Sequence, residues 1–193
     1  MDDSKLEFKI LSLKSSRDYH IFNAVEVEKK LPNGKKGVYT QVEAPNWVSA
    51  IVYDESKGLY AMVRLFRHGI GKVVTEFTSG TVEGDETNIQ AIIRECKEEI
   101  GLDPNDILGI EYLYRCPTNP GFMNNKMTCF FIDASHVNEN DYKGRDSDEF
   151  IDIKFLSFEE INNLINNSDD VSIMMMAGWD VYKELFHDNN KNA

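Results

Sequence analysis

The chain lacks the marks of several protein classes. It has three cysteines in 193 residues and no C-x-x-C pair, and no apolar stretch is long enough to span a bilayer. The N-terminus has no basic region followed by an apolar run, and no repeat or low-complexity tract is visible. We therefore expect no disulfide framework, signal peptide or membrane span, and we expect a cytoplasmic protein.

Positive charge is also scarce. The chain has 33 acidic and 21 basic residues, and its formal net charge at pH 7 is -12. An acidic surface repels phosphate backbones, which excludes a protein that binds long nucleic acid by charge alone. A small phosphorylated substrate stays compatible with this charge if a divalent cation is bound first.

The pattern of apolar residues predicts an α+β fold, because strands come first and helices follow. With 41% hydrophobic residues the chain can bury a real core, which we expect in one domain over residues 46–193, preceded by a β-rich extension over residues 1–45. Helices are predicted over residues 87–100, closed by Gly101, over residues 157–166, opened by a Ser157/Glu160 capping box, and over residues 170–186. Strands are predicted over residues 8–13, 21–27, 38–42, 47–53, 59–65, 73–77, 107–115, 127–133 and 151–156.

The predicted helix over residues 87–100 has two distinct faces. Glu95, Glu98 and Glu99 stand at i, i+3 and i+4 and therefore share one face, where only Arg94, at i, i+4 to Glu98, supplies a counter-charge. Clustered carboxylates on a rigid helix suit Mg²⁺, although a solvated acidic face explains three glutamates equally well. The apolar stripe that we expect in the core consists of Ile89, Ile92, Ile93, Cys96 and Ile100.

The spacing of the acidic cluster decides between these two interpretations. Residues 80–102 match the pattern G-x5-E-x7-R-E-U-x-E-E-x-G-U, in which U is aliphatic, and they resemble the signature of the Nudix hydrolases. Seven fixed matches arise by chance in on the order of one window in 10⁸ to 10⁹. Leu102 fits the second aliphatic place and Cys96 stands at the first. The seven fixed places are filled by Gly80, Glu86, Arg94, Glu95, Glu98, Glu99 and Gly101.

The resemblance implies an α/β/α sandwich around a mixed sheet, in which this segment forms a loop and the catalytic helix. It implies that Glu95 and Glu99 are direct ligands of Mg²⁺, or of Mn²⁺ in its place, and that Glu98 is a further ligand or the base. By the same resemblance Arg94 orients a glutamate, Glu86 holds the loop or acts behind the metal ligands, and Gly80 offers a carbonyl oxygen to the metal.

The flanking sequence resembles the ADP-ribose pyrophosphatase, or nucleotide-sugar pyrophosphatase, branch of the family. Glu76 and Gly80 match the ends of the branch's E-x-P-A-G motif, and Arg67 matches the arginine of its Q-x-R strand. Gly121 and Phe122 match its P-G-F loop, so the resemblance assigns Arg67, Glu76, Gly121 and Phe122 to substrate binding. Departures from the branch pattern stand at Leu65, Thr78 and Asn125, and they leave the exact substrate open.

In this branch a catalytic base can come from a late acidic loop. Here that loop contains Asp148 and Glu149, of which Glu149 is our candidate base, although a solvated turn of charges explains the loop equally well. Two interpretations also stay open for Trp47, which could stack on adenine or serve as a core or dimer contact. Met174, Met175 and Met176 are predicted to be packing residues.

The resemblance implies Mg²⁺-dependent hydrolysis of ADP-ribose, or of a related nucleoside-diphosphate sugar, to a nucleoside monophosphate and a sugar phosphate. It also implies a homodimer, since the N-terminal extension of this branch often exchanges between subunits. The alternatives are a pyrophosphatase for nucleoside triphosphates or dinucleotides on the same fold, and a sensor that binds ADP-ribose without turnover.

Overall fold

The computed structural model describes residues 3–138 and 150–188. Within these residues it contains ten β-strands and three α-helices, which confirms the predicted α+β class. The strands are β1 (Lys9–Asp18), β2 (Asn23–Lys30), β3 (Lys36–Glu43), β4 (Trp47–Asp54), β5 (Leu59–Arg67), β6 (Lys72–Glu76), β7 (Thr78–Thr81), β8 (Ile107–Pro117), β9 (Lys126–Ala134) and β10 (Asp152–Leu156), and the helices are α1 (Asn88–Ile100), α2 (Phe158–Asn167) and α3 (Ile173–Tyr182).

The chain divides into two compact units, of which the first comprises Met1–Asn46 and Pro117–Lys126. Its strands β1, β2 and β3 form an antiparallel sheet in that order. The loop after β8 joins this sheet, since Val42 N donates to Phe122 O at 2.8 Å and Asn124 N donates to Val42 O at 3.2 Å. The predicted division into a β-rich extension over residues 1–45 and one domain over residues 46–193 stays a prediction.

The second unit, Trp47–Cys116 with Met127–Ala193, carries a seven-stranded mixed sheet. Its main path is β10-β5-β4-β9-β8, with β6 paired to β5 and β7 paired to β4. Strand β4 runs parallel to β9 and antiparallel to β5 and β7.

Helices cover both faces of this sheet, which confirms the expected α/β/α sandwich. Strand β4 shows why: Val48, Ala50 and Val52 pack on α1, whereas Ile51 points to the other face and packs with α2 and α3. This alternation follows from the two-residue period of a strand. The second core centres on Trp179 of α3, which is fully buried.

The ends of α1 follow its sequence closely. Gly101 adopts the left-handed conformation at φ 70°, as predicted for the closing glycine, and Thr87 with Gln90 forms a capping box at the start that our sequence analysis overlooked. The expected burial of Ile89 was wrong, because this side chain is 50% exposed. The helix is rotated so that Glu95 and Glu99, rather than Ile89, lie among its buried residues.

The two predicted C-terminal helices are present, and the second one ends in a helix of a different type. The Ser157/Glu160 capping box opens α2 as expected. Helix α3 spans Ile173–Tyr182, and a π-helical turn over Lys183–Asp188 follows it. No helix within the described residues is long and apolar enough to cross a membrane.

Candidate active site

The predicted acidic cluster lies where α1 packs against β7. Strand β7 pairs antiparallel with β4, with Ser79 opposite Ser49 and Gly80 opposite Val48, so the backbone that faces the helix is fixed by the central sheet. The segment after β7 then leads to the capped start of α1. Rigid elements on both sides hold the side chains between them in defined positions.

Gly80 is required by the close approach of Glu95. A Cβ atom built at Gly80 would overlap the carboxylate group of Glu95. The Glu95 residue is only 5% exposed, and its carboxylate Oε1 accepts a hydrogen bond from Arg94 Nη1 at 2.7 Å. The absence of a side chain at Gly80 therefore makes room for a buried carboxylate next to the β7 backbone.

Glu99 is held by the backbone of the same strand. Its Oε2 accepts a hydrogen bond from Ser79 N at 2.9 Å, and the residue is 8% exposed. Glu98, one position earlier on α1, is partly exposed, with 25% of its side chain accessible. The helix thus presents two buried carboxylates and one partly exposed carboxylate to the same region.

Arg94 is the cation at the centre of this cluster. Its guanidinium group lies within 4.0 Å of four carboxylates, those of Glu83, Glu86, Glu95 and Glu98. The hydrogen bonds to Glu86, together with the charge of Glu95, raise the pKa of Arg94 further above its ordinary value, although burial opposes this shift. Arg94 is therefore permanently charged and ties the loop to the helix.

Three hydrogen bonds fix the loop before α1. Arg94 Nη2 donates to Thr81 O at 2.8 Å, and Glu86 accepts from Glu83 N at 2.6 Å while it also accepts from Arg94 Nε at 3.1 Å. Glu86 thus holds both the loop backbone and the arginine. This geometry corresponds to the loop-holding role that the family resemblance implies for Glu86.

A cavity of about 300 Å³ opens beside these carboxylates. Its lining includes the predicted metal ligands and one predicted substrate residue from the β5 strand, together with Ser79, Thr81 and Glu83, which the sequence analysis did not select. The predicted residues among its lining are Gly80, Glu95, Glu98, Glu99 and Arg67.

Arg67 and Glu76 form an ion pair at the edge of this cavity. Arg67 Nε and Nη2 lie 2.8 Å and 2.6 Å from Glu76 Oε2. In the β5–β6 register Arg67 is opposite Lys72 and Glu76 is opposite Val63, so the two side chains share one face of the sheet and meet diagonally across it. Arg67 lines the acidic cavity, whereas Glu76 lines a second pocket that also includes Arg67.

Three further predicted site residues are Gly121, Phe122 and Glu149. Gly121 and Phe122 are exposed residues of the first compact unit, in the loop that joins the sheet of β1, β2 and β3. Glu149, the candidate base, lies outside the described residues together with the rest of its acidic loop. Neither assignment is tested by the arrangement of the cavity.

The donor set of the cavity fits a hard divalent cation. Glu95, Glu98 and Glu99 supply carboxylate oxygens, the ligands that Mg²⁺ and Mn²⁺ prefer, and negative charge exceeds positive charge around them. Among residues 3–138 and 150–188, no three acidic, histidine or cysteine side chains already converge on one point. Carboxylates that now face Arg94 and Ser79 would have to turn toward a cation that binds there.

Backbone partners are what the sequence analysis missed. Ser79 N and Thr81 O hold Glu99 and Arg94, respectively. These are main-chain atoms that every residue type has, so the sequence does not indicate the contacts. The pairing of residues 78–81 with β4 could have been inferred only from the family fold. The strand β7 itself is four residues long and shows no alternation, which is why it was not predicted.

Comparisons with known proteins agree with this geometry. The family model described as NUDIX domain matches residues 45–175. The methanol dehydrogenase activator of Bacillus methanolicus is 30% identical over 132 residues, which cover 68% of each chain. The putative nudix hydrolase 2 of Caenorhabditis elegans is 27% identical over 131 residues, and the ADP compounds hydrolase NudE of Escherichia coli (strain K12) is 23% identical over 118 residues.

The alignment with the putative nudix hydrolase 2 covers 66% of this chain and 58% of that protein. The alignment with NudE covers 61% of this chain and 62% of that protein. The chain therefore spans less than two thirds of either of those proteins. A crystal structure of an ADP compounds hydrolase superposes with a TM-score of 0.74 at 16% identity, over 93% of this chain and 94% of that one. This superposition confirms the fold.

Proposed function

The chain belongs to the Nudix family of hydrolases, and we propose that it hydrolyses the pyrophosphate bond of ADP-ribose, or of a related nucleoside-diphosphate sugar, with Mg²⁺. The observation that carries this proposal is the cavity lined by Glu95, Glu98 and Glu99 beside Gly80. All carboxylates of the family signature are retained, which favours an enzyme over a sensor without turnover.

The substrate class is supported by the relatives. NudE and the superposed crystal structure are both named for hydrolysis of ADP compounds, and the motifs around Arg67 and Glu76 resemble those of the same branch. Cleavage would add water across the phosphorus–oxygen bridge of the diphosphate. ADP-ribose would then yield AMP and ribose 5-phosphate, with protons released to the solvent.

Glu95, Glu98 and Glu99 would hold the metal. Bound Mg²⁺ would neutralise the charge of the diphosphate and activate the attacking water. Glu95 and Glu99 line the cavity and are nearly buried, and their carboxylate groups would turn from Arg94 and Ser79 N toward the ion. Glu98 is the most exposed of the three, so it is the carboxylate that an attacking water could reach most directly.

The residues behind these carboxylates would keep them in position. Arg94 ties Glu95 and Glu98 to the loop, and Ser79 N holds Glu99. Arg67, which also lines the cavity, would bind a phosphate oxygen, with Glu76 fixing the plane of its guanidinium group. Positioning and charge stabilisation would supply most of the rate enhancement.

A substrate panel tests this proposal. The purified chain is incubated with Mg²⁺ and ADP-ribose, ADP-glucose, GDP-mannose, NADH, diadenosine polyphosphates or nucleoside triphosphates, and the products are separated by chromatography. We expect AMP and ribose 5-phosphate from ADP-ribose at a rate well above the others, none after chelation of the metal, and recovery with added Mg²⁺. Mn²⁺ is tested in parallel as the alternative ion.

Other outcomes separate the alternatives. Preferential hydrolysis of a triphosphate or dinucleotide would retain the Nudix chemistry and reject the proposed substrate class. Tight binding of ADP-ribose without turnover of any compound would favour the sensor.

We also propose a homodimer that forms through the N-terminal sheet. In the first unit, large apolar side chains stand exposed on β1, including Ile10 at 68% and Leu13 at 62%. Such a patch is unusual for a monomer and is typical of an interface. Light scattering should give twice the chain mass, and the pair Ile10→Glu and Leu13→Glu should give monomers, whereas Glu7→Lys should leave the mass unchanged.

The cysteines fit a cytoplasmic location, which we propose for this chain. All three are free thiols, and Cys96 and Cys129 are buried. Such thiols persist in a reducing compartment. Fractionation of cells that express the tagged chain tests the location, and recovery in a secreted fraction would contradict it.

A further inference from the structure

A second pocket, of about 190 Å³, opens next to the acidic cavity in the second unit. Its walls come from the start of β4, the start of β9 and the first turn of α3. They are mainly apolar: Trp47 is 41% exposed, while Met127 and Met175 are nearly buried at their base and Met174 is half-buried. Polar groups of Ser49, Ser172 and Glu76 also reach the lining.

The two cavities share a wall. Arg67 and Ser79 line both of them, so a ligand that spans the pair passes directly over these residues. Arg67 is the one cation among the described lining residues of either cavity. A phosphorylated ligand is thus expected to place its phosphates at the shared wall and its two ends in the two cavities.

We propose that the apolar pocket binds the nucleobase of the substrate, with Trp47 and Met174 as the residues that determine this specificity. The inference rests on the proposed function, because it names which end of a nucleoside-diphosphate compound occupies which cavity. A nucleobase has flat apolar faces that gain from contact with an indole ring and thioether groups. Its polar edge would meet the hydroxyl and carboxylate groups of the lining.

The other end of the substrate fits this pocket poorly. A sugar phosphate carries hydroxyl groups over its whole surface, and burial of such groups against methionine side chains would remove hydrogen bonds to water without replacement. The sugar therefore belongs on the acidic side, which is polar. This assignment follows from the lining alone and does not depend on which base the substrate carries.

An ion pair links two of the segments that form the walls of the pocket. Lys72 Nζ lies 2.8 Å and 3.1 Å from the two carboxylate oxygens of Asp170. Lys72 is paired with Arg67 across the β5–β6 hairpin, and Asp170 precedes Ser172, whose hydroxyl accepts from Met175 N at the start of α3. The ion pair thus connects the hairpin that carries Arg67 with the turn that carries the methionines.

Tryptophan fluorescence tests the pocket without turnover. The chain has two tryptophans, Trp47 in the pocket and Trp179 in the core, where it is fully buried. In the presence of Mg²⁺ we expect AMP to quench the emission of Trp47 to saturation and ribose 5-phosphate to leave it unchanged. The quenching should vanish in Trp47→Phe, since the emission of Trp179 is shielded.

Two neighbouring methionines on α3 provide a matched kinetic test. Met174 lines the pocket, whereas Met176 is 41% exposed and does not. Contacts between a thioether and an aromatic ring typically change affinity by about two- to tenfold, so Met174→Ala should raise KM within this range with a small change in kcat. Met176→Ala should retain the KM of the unchanged chain.

The outcomes distinguish this inference from the proposed function. Saturable quenching by AMP that Met174→Ala weakens would support the pocket even if no panel compound were hydrolysed, which would reject only the function. Hydrolysis of ADP-ribose with no quenching by AMP would overturn the pocket and retain the function. Equal KM values for Met174→Ala and Met176→Ala would also overturn it.

Discussion

The carboxylate group of Glu95 occupies the space into which any side chain at Gly80 would project. Gly80→Ala should therefore displace Glu95 and break its contact with Arg94. Because a misplaced ligand of about 1 Å can cost about 100-fold in rate, we expect a loss of kcat of that order. Gly109→Ala is the control, since a Cβ there meets nothing within 4 Å. Equal activity of the two variants would show that the position of Glu95 is not critical.

Glu98→Gln and Glu99→Gln remove charge from the cavity and keep the shape of each side chain. The amide oxygen at position 99 can still accept from Ser79 N, so the fold should be unchanged. We expect kcat to fall by on the order of 100-fold or more, with a melting temperature close to that of the unchanged chain. Glu159→Gln, on the exposed first turn of α2, is the control. Full activity in either cavity variant would reject the metal-site assignment.

Arg94→Lys keeps the charge but removes the planar group that bridges Glu86, Glu95 and Thr81. The free energy of unfolding should fall by about 1–3 kcal/mol, and kcat by about 10- to 100-fold, because the carboxylates lose their common partner. Arg64→Lys is the matched control, since Arg64 makes one exposed ion pair, with Asp152 at 3.4 Å. If both variants lose the same amount of stability and activity, Arg94 has no special positioning role.

The free energy of unfolding is expected to depend on pH through the carboxyl group of Asp54. Burial raises the pKa of Asp54, but hydrogen bonds from Lys57, Ser56 and Val137 outweigh it, so the pKa lies below the ordinary value. A lowered pKa stabilises the fold above the pKa of the unfolded chain, and this contribution is lost as pH falls through the folded pKa. Asp54→Asn should lose about 1.5–3 kcal/mol of unfolding free energy at pH 7.

The difference between Asp54→Asn and the unchanged chain should shrink as the pH is lowered below about 4. Chemical denaturation at several pH values measures it. Asp169→Asn, at an exposed position, should show no such difference. If the difference in unfolding free energy between Asp54→Asn and the unchanged chain stays constant down to pH 2, the ionised carboxylate is not what stabilises the turn.

The parts of the site that the sequence predicted are those encoded by spacing. The helix that carries Glu95 and Glu99, its closing Gly101 and the later Ser157 capping box all follow from local preferences of single residues. The Thr87/Gln90 capping box had the same kind of signal, a threonine followed three residues later by a glutamine, and could have been found.

The rest depends on contacts between distant segments. Ile89 is exposed and Glu95 is buried because of the way α1 is rotated against β7. The helical period alone does not determine that rotation. The ion pair of Arg67 with Glu76 is a diagonal contact across the β5–β6 hairpin, where the two residues are not opposite each other. The apolar pocket likewise requires Trp47 and Met174 to meet although they are far apart in the chain.

The number of residues in β4 cannot change without disrupting the packing on both of its faces. One of its faces belongs to the core beneath α1 and the other to the core around Trp179, while its edges bind β7 and β9. A one-residue insertion would exchange the two faces and shift Gly80 away from its partner Val48. The exposed turn at residues 68–71 can lengthen without that cost, so successful insertions in a mutant library should accumulate at such turns and be missing from residues 47–53.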